Sequence, residues 1–186
     1  MKLPRGFLAS GVRAGIRKKR PDLGVIVAPD GASAAAVFTK NRFQAAPVIL
    51  SKAALKKSGG RVTAVVVNAG CANAVTGKEG MDAARRSRAR AAELLRCGAD
   101  EVFVASTGVI GVVLPDKKLR DALPDAITRV APSPSRTIIQ ASSRQTSSSA
   151  RWKSSRSLPL GPLPLARSST VSFVDVSPST EIALKL

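Results

Sequence analysis

Three observations predict a layered α/β fold. Apolar runs of strand length alternate with polar stretches of helix length, turn residues fall between them, and the apolar content is dominated by Ala and Val rather than by aromatics. The 186 residues are 44% hydrophobic but only 3% aromatic, with no Tyr and no His. A core of small and β-branched residues suits sheets and helices that approach closely. The length allows one domain with a real core, or one domain followed by a tail.

The elements follow in order. Residues 23–28 (LGVIVA) read as a short buried strand closed by a Pro29-Asp30-Gly31 turn. Residues 34–39 and 46–50 read as further strands, and Ser51 as the cap of a short helix reaching Lys57 before Gly59-Gly60. The clearest strand is 61–68 (RVTAVVVN), whose Val62, Val65, Val66 and Val67 are too apolar for a solvent face. A small-residue loop, 69–74, leads to Thr76, with Glu79 three residues later as in a capping box. The long helix predicted over 78–96 has Met81, Ala84, Ala91, Ala92 and Leu95 as its inner stripe, and Gly98 stops it. Arg85, Arg86, Arg88 and Arg90 form its solvated face. Residues 101–106 (EVFVAS) are again a strand, running into Thr107-Gly108, and Pro115-Asp116 open one or two short helices ending near Arg129.

Net charge invites a nucleic-acid reading, which the distribution does not support. The formal charge is +18, yet the excess is spread: 23 Lys/Arg against 10 Asp/Glu in 1–131, and 7 against 2 in 132–186. Stacking platforms are nearly absent, with one Trp and five Phe. No specific nucleic-acid partner is therefore expected, although non-specific polyanion binding is. Cys71 and Cys97 stand alone, without a His or a third Cys to complete a metal set, so no metal is expected and both thiols read as free. No apolar run is long enough to span a membrane and no secretory leader is evident, so a cytoplasmic location is expected. The basic run 17–20 lies between Gly15 and Pro21 and reads as a turn.

Texture changes after Ala131. Ser supplies 15 of the last 55 residues and Pro recurs, with no sustained period except at 171–176. Such a stretch buries too little apolar surface to offset its ordering entropy. Two regions are expected: 1–131 folded, and 132–186 a Ser/Pro-rich tail, disordered or translated out of frame. The frame reading rests on codon arithmetic at 150–155 and 176–183, where a shifted frame can encode V-E-V-E and L-T-V-D-G-D-S.

Four blocks carry a resemblance over about 131 residues: LPRGFLASGVRAGIRKKRPDLGVIVA (3–28), ASAAAVFTKNRFQAAPV (32–48), VVVNAGCANAVTGKEGMDAARR (65–86) and VASTGVIG followed by VVLP (104–115). In this order and spacing they resemble the glutamate/ornithine N-acetyltransferases of arginine biosynthesis. Ala69 and Cys71 depart from the family's usual VVNSGNANACTG. The resemblance implies the N-terminal part of an α/β/β/α sandwich like that of N-terminal-nucleophile hydrolases. It implies an enzyme that cuts itself at an Ala-Thr bond and uses the freed Thr to move acetyl from N-acetylornithine, or from acetyl-CoA as donor substrate, to glutamate. It also implies heterotetramers of two α and two β chains, and no resident cofactor.

Thr107 and Gly108 match the family's oxyanion-hole pair. The chemistry agrees: a hydroxyl at a strand end, beside a residue without Cβ, lets donors approach an oxyanion. Asn68, Asn73 and Thr76 line a second polar loop, which reads more simply as loop and cap hydrogen bonding. Cys71 has no His anywhere to activate it and is not a nucleophile. The family's T-T-D block, K-G-x-G-M segment and M-A-T-M-L cleavage site are missing, and no Ala-Thr dipeptide occurs among the 186 residues. Acetyl transfer by these residues alone is not expected. A non-catalytic binding fragment and a basic nucleic-acid-binding protein are the competing readings.

Overall fold

The computed structural model describes residues 3–131, together with the backbone of two short strands, 173–174 and 181–185. Strand β1 (Leu8–Val12) leads to β2 (Leu23–Val37), helix α1 (Ala46–Lys57), β3 (Arg61–Cys71) and helix α2 (Gly77–Leu95). A one-turn 3-10 helix (Ala99–Glu101) opens β4 (Val102–Val109), which precedes α3 (Asp116–Thr128); β5 (Phe173–Val174) and β6 (Glu181–Lys185) follow. The sheet order is β4-β3-β2-β6-β5, with β1 also on β2. β3 is antiparallel to β2 and parallel to β4, so the sheet is mixed.

Alternation along the strands separates two apolar faces. Leu23, Val25, Val27, Ala64, Val66, Val102 and Val104 pack with Leu50 of α1, Ala84 and Ala91 of α2, and Leu119 and Leu123 of α3. Ala28, Val65 and Phe103 point the other way and join Phe7 and Val62. α2 and α3 thus cover one face, while α1 lies along β4 and reaches both clusters, with Leu50 in one and Ala54 in the other. The small side chains of α2, including the fully buried Ala83 and Ala91, let it sit close to the sheet.

Several sequence expectations need correction. Pro29-Asp30-Gly31 does not end a strand: β2 continues through it as an irregularity in the β2–β3 register between Val27 and Ala32. Proline's missing N–H is tolerated at such a bulge, Gly31 takes a φ of +74°, and Arg61 donates to the Asp30 carbonyl at 3.0 Å. Residues 46–50 are the start of α1 rather than a strand, with Pro47 in the first turn, where its missing N–H costs no hydrogen bond. Ser51 lies inside that helix, fully buried. Its hydroxyl donates to the Val104 carbonyl at 2.8 Å and accepts from the Val104 N–H at 3.0 Å, serving backbone groups on the outer edge of β4.

Thr76 precedes α2 but makes no side-chain cap bond, so the capping box does not form. The helix ends at Arg96, which adopts the left-handed conformation at φ +54°, and not at Gly98. The Cys97 N–H reaches back to the Ala92 carbonyl at 3.1 Å, closing the end as glycine more often does. Strands β3 and β4 each run three residues past their expected ends, through Cys71 and Val109. α3 is a single helix that contains Pro124.

At Ala131 the chain is pinned to β1 by reciprocal backbone bonds with Ala9, both 3.0 Å. The Ser/Pro-rich tail expected beyond it lies outside the described residues, apart from β5 and β6. β5 falls within the one stretch expected to hold a period. β6 was not expected; its backbone adds a parallel strand beside Ser33–Val37.

Candidate functional site

The ends of β3 and β4 bring the sequence-predicted residues together. Their parallel register sets Asn68 beside Ser106, Ala69 beside Thr107 and Gly70 beside Gly108. Thr107 is half-buried and Gly108 is exposed, so the pair opens to the surface from a rigid sheet. Gly108 has a φ of +137°, and a Cβ there would lie 2.5 Å from the Cys71 nitrogen and 2.6 Å from the Gly70 carbonyl oxygen. Gly70, at φ +112°, meets side chains instead: a Cβ on it would lie 2.9 Å from Ile16 Cγ2 and Arg17 Cγ. Close backbone approach explains Gly108, and the positive φ with side-chain crowding explains Gly70.

The loop carrying Ile16 and Arg17 is fixed by Asp22. This buried carboxylate accepts from the Ala14 N–H at 2.5 Å and the Arg17 N–H at 2.6 Å. Lys118 of α3 donates to the Gly15 carbonyl at 3.0 Å. Residues 15–20 bend without forming a helix or strand, in keeping with the turn expected over 17–20, and Arg17 lies against Gly70 at the end of β3. Asp22 was not singled out from sequence; an acid directly after a basic run and Pro21 was the available signal.

The segments after the two strands are stitched to each other. Ala72 donates to the Val109 carbonyl at 2.9 Å and Gly111 to the Ala74 carbonyl at 2.9 Å. Val75, Val109, Ile110 and Val112 consequently form an exposed apolar rim, each at least half accessible.

Asn68, Asn73 and Thr76 have structural work to do. Asn73, fully buried at φ +49°, donates to the Gly80 carbonyl at 2.8 Å and accepts from the Thr76 hydroxyl at 2.9 Å. The Thr76 hydroxyl thus turns toward Asn73, and it accepts no bond from the first turn of α2. Asn68 donates to the Cys71 carbonyl at 2.8 Å and accepts from the Ser106 hydroxyl at 2.6 Å. Cys71 is buried, and its thiol meets the Val112 carbonyl at 3.1 Å. Burial pushes that thiol above its usual range, against a smaller opposing pull from a backbone hydrogen bond at Asn73. A thiol held protonated is a poor nucleophile.

The arginines of α2 are not a uniform solvated face. Arg86 makes a two-pronged contact with Asp116 of α3, at 2.8 and 3.1 Å, while the Arg88 side chain is only 15% exposed and faces Asp100 at 3.3 Å. Arg85 and Arg90 pair within the helix with Asp82 and Glu93. Among the described residues no group of His, Cys, Asp or Glu could hold a metal ion, and no helix is long and apolar enough to cross a membrane.

A mixed sheet with helices packed on it and along its edge, ending in a polar tip at two facing glycines, defines a layered α/β protein. Comparison with known proteins places it: the chain belongs to the ArgJ family, whose model matches residues 8–158 and so runs past Ala131. The mitochondrial arginine biosynthesis bifunctional protein ArgJ of Pyricularia oryzae is 49% identical over 135 residues, covering 70% of this chain and 28% of that protein. The ArgJ protein of Thermotoga neapolitana is 42% identical over 134 residues, covering 72% and 34%. The chain thus spans about a third or less of the length of these relatives.

Two solved structures share the fold. ArgJ from Bacillus halodurans superposes with a TM-score of 0.63 at 40% identity, covering 67% of this chain and 68% of that one. Ornithine acetyltransferase from Mycobacterium tuberculosis, solved with ornithine, gives 0.66 at 36% identity, covering 70% of each. The expected fold class, the N-terminal part of an α/β/β/α sandwich, stands.

Proposed function

We propose that these residues supply the oxyanion-stabilising half of an acetyltransferase site, with Thr107 and Gly108 as the donors. The observation that carries this reading is the Gly70–Gly108 approach at the end of two parallel strands. It holds a hydroxyl and a Cβ-free backbone at a surface-accessible point on a rigid support. Acyl transfer passes through tetrahedral oxyanions, which are stabilised by donors already in place about 3 Å from the developing charge. The names of the relatives support arginine biosynthesis as the setting, and the Mycobacterium tuberculosis structure supports a substrate of the ornithine class.

In this reading a Thr nucleophile, freed as a new N-terminus, attacks the acetyl carbonyl of N-acetylornithine or acetyl-CoA. Its own α-amino group, with a pKa near about 8, takes the hydroxyl proton. Thr107 and Gly108 hold the oxyanion, the amine or thiol leaves, and glutamate accepts the acetyl group by the reverse steps. No Ala-Thr bond occurs in these 186 residues, so in this reading the attacking Thr lies outside them. By the family resemblance, that Thr opens a β chain cut from the α chain, with two of each assembled. The matched stretch is about 70% of the solved chains and about 30% of the curated relatives, which leaves room for the attacking residue outside it. A cytoplasmic location is the simplest setting, and the mitochondrial relative makes an organelle the alternative.

The test combines this chain with the C-terminal part of a relative that carries the nucleophile. Thr107→Ala is expected to lower kcat by about 10²-fold with little change in KM. An unchanged kcat removes Thr107 from the site.

A further inference from the structure

We infer that Asn68 and Ser106 are positioning residues that hold the Thr107–Gly108 tip in its working geometry, an inference that rests on the oxyanion reading above. Both are buried, at 3% and 8% exposure, and neither reaches the surface where a substrate would lie. They sit opposite each other in the β3–β4 register, immediately before the residues of the tip. The Ser106 hydroxyl donates to Asn68 Oδ1 at 2.6 Å, and Asn68 Nδ2 donates to the Cys71 carbonyl at 2.8 Å.

The consequence runs through one peptide unit. A Cβ on Gly108 would touch the Gly70 carbonyl oxygen and the Cys71 nitrogen, so the Gly70–Cys71 peptide is the surface against which Gly108 rests. Asn68 restrains that segment from its far end by holding the Cys71 carbonyl. Ser106 adjoins Thr107 and is tied to the same amide. One Asn side chain therefore couples the backbone on both sides of the close approach, and both its polar ends are occupied. Apolar replacement at either position leaves a buried partner without its bond, and the tip is the part of the sheet free to relax.

Two readouts test this role. Amide hydrogen exchange of the 186-residue chain, read by mass spectrometry, should accelerate about tenfold in Ser106→Ala across 69–72 and 107–111. Exchange over 61–66 and 102–105 should stay as in the unaltered chain. Ser106→Thr, which keeps the hydroxyl, should restore the slow exchange. An unchanged tip, or acceleration spread evenly along both strands, overturns the proposal. In the combined reaction described above, Ser106→Ala should lower kcat about tenfold at constant KM, and an unchanged kcat also overturns it. Exchange is read without any acetyl transfer, so failure of the positioning role is separable from failure of the oxyanion reading, which Thr107→Ala tests.

Discussion

Gly108 shows how much a single residue contributes when it lacks a side chain. Its φ of +137° is disfavoured for other residues, and an added Cβ would lie 2.5 Å from the Cys71 nitrogen. Gly108→Ala should cost about 1–3 kcal/mol of stability, from overpacking against backbone that cannot swing away. Urea unfolding followed by circular dichroism measures it; an unchanged midpoint would show that the strand ends can part freely. The Thr107-Gly108 pair was legible in sequence because small and hydroxyl residues followed an apolar strand within a recognisable block. Ser51 was not legible, since a serine between Leu50 and Lys52 signals a cap as readily as a buried bond to a neighbouring strand. Asn68 was noticed but read as loop chemistry. Its pairing with Ser106 depends on the register between β3 and β4, which neither segment encodes alone.

Elements built on strong periodicity matched expectation most closely. β3, with its run of valines, and α2, with alanines on one face, are defined by patterns longer than local ambiguity. The start of α1 is not legible because APVIL at 46–50 is uniformly apolar, and such a run has no period to separate strand from buried helix. The bond from Ser51 joins α1 to the edge of β4, so Ser51→Ala leaves the buried Val104 N–H without its partner. A loss of about 1–3 kcal/mol is expected in the same unfolding experiment, and a neutral substitution would mean that water replaces the hydroxyl. α2 and α3 are latched by Arg86 and Asp116. The hydrogen bond from Arg86 holds the Asp116 carboxyl below the usual carboxylate range, partial burial opposes that shift, and Arg120 adds to it. A depressed folded-state pKa stabilises above the ordinary carboxylate range, and the contribution disappears as pH falls through the depressed value. Asp116→Asn should therefore lower Tm at pH 7, by an amount that shrinks as the pH falls below the ordinary carboxylate range toward about 2. An equal effect at both pH values would contradict the latch.

At the scale of the whole described fold, a sheet carries α2 and α3 on one face and α1 along its β4 edge, and the segments after β3 and β4 expose Val75, Val109, Ile110 and Val112. An oxyanion site gains strength when water is excluded, and the backbone bonds between 72 and 109 and between 74 and 111 keep these apolar residues in the segments that follow the tip. The family resemblance was legible across 3–115 because four blocks kept order and spacing, and the family match to 8–158 agrees with it. The later strand β6 was not legible, because its five residues are preceded by Ser and Pro and have no second turn of any period. In the proposed reading these 186 residues hold the stabilising half of an acetyltransferase site, and the attacking Thr lies outside them. Acetyl transfer from N-acetylornithine to glutamate, measured with the purified 186-residue chain alone, tests that claim most directly. No turnover above the uncatalysed rate is the predicted result, and steady turnover by the chain alone would contradict it.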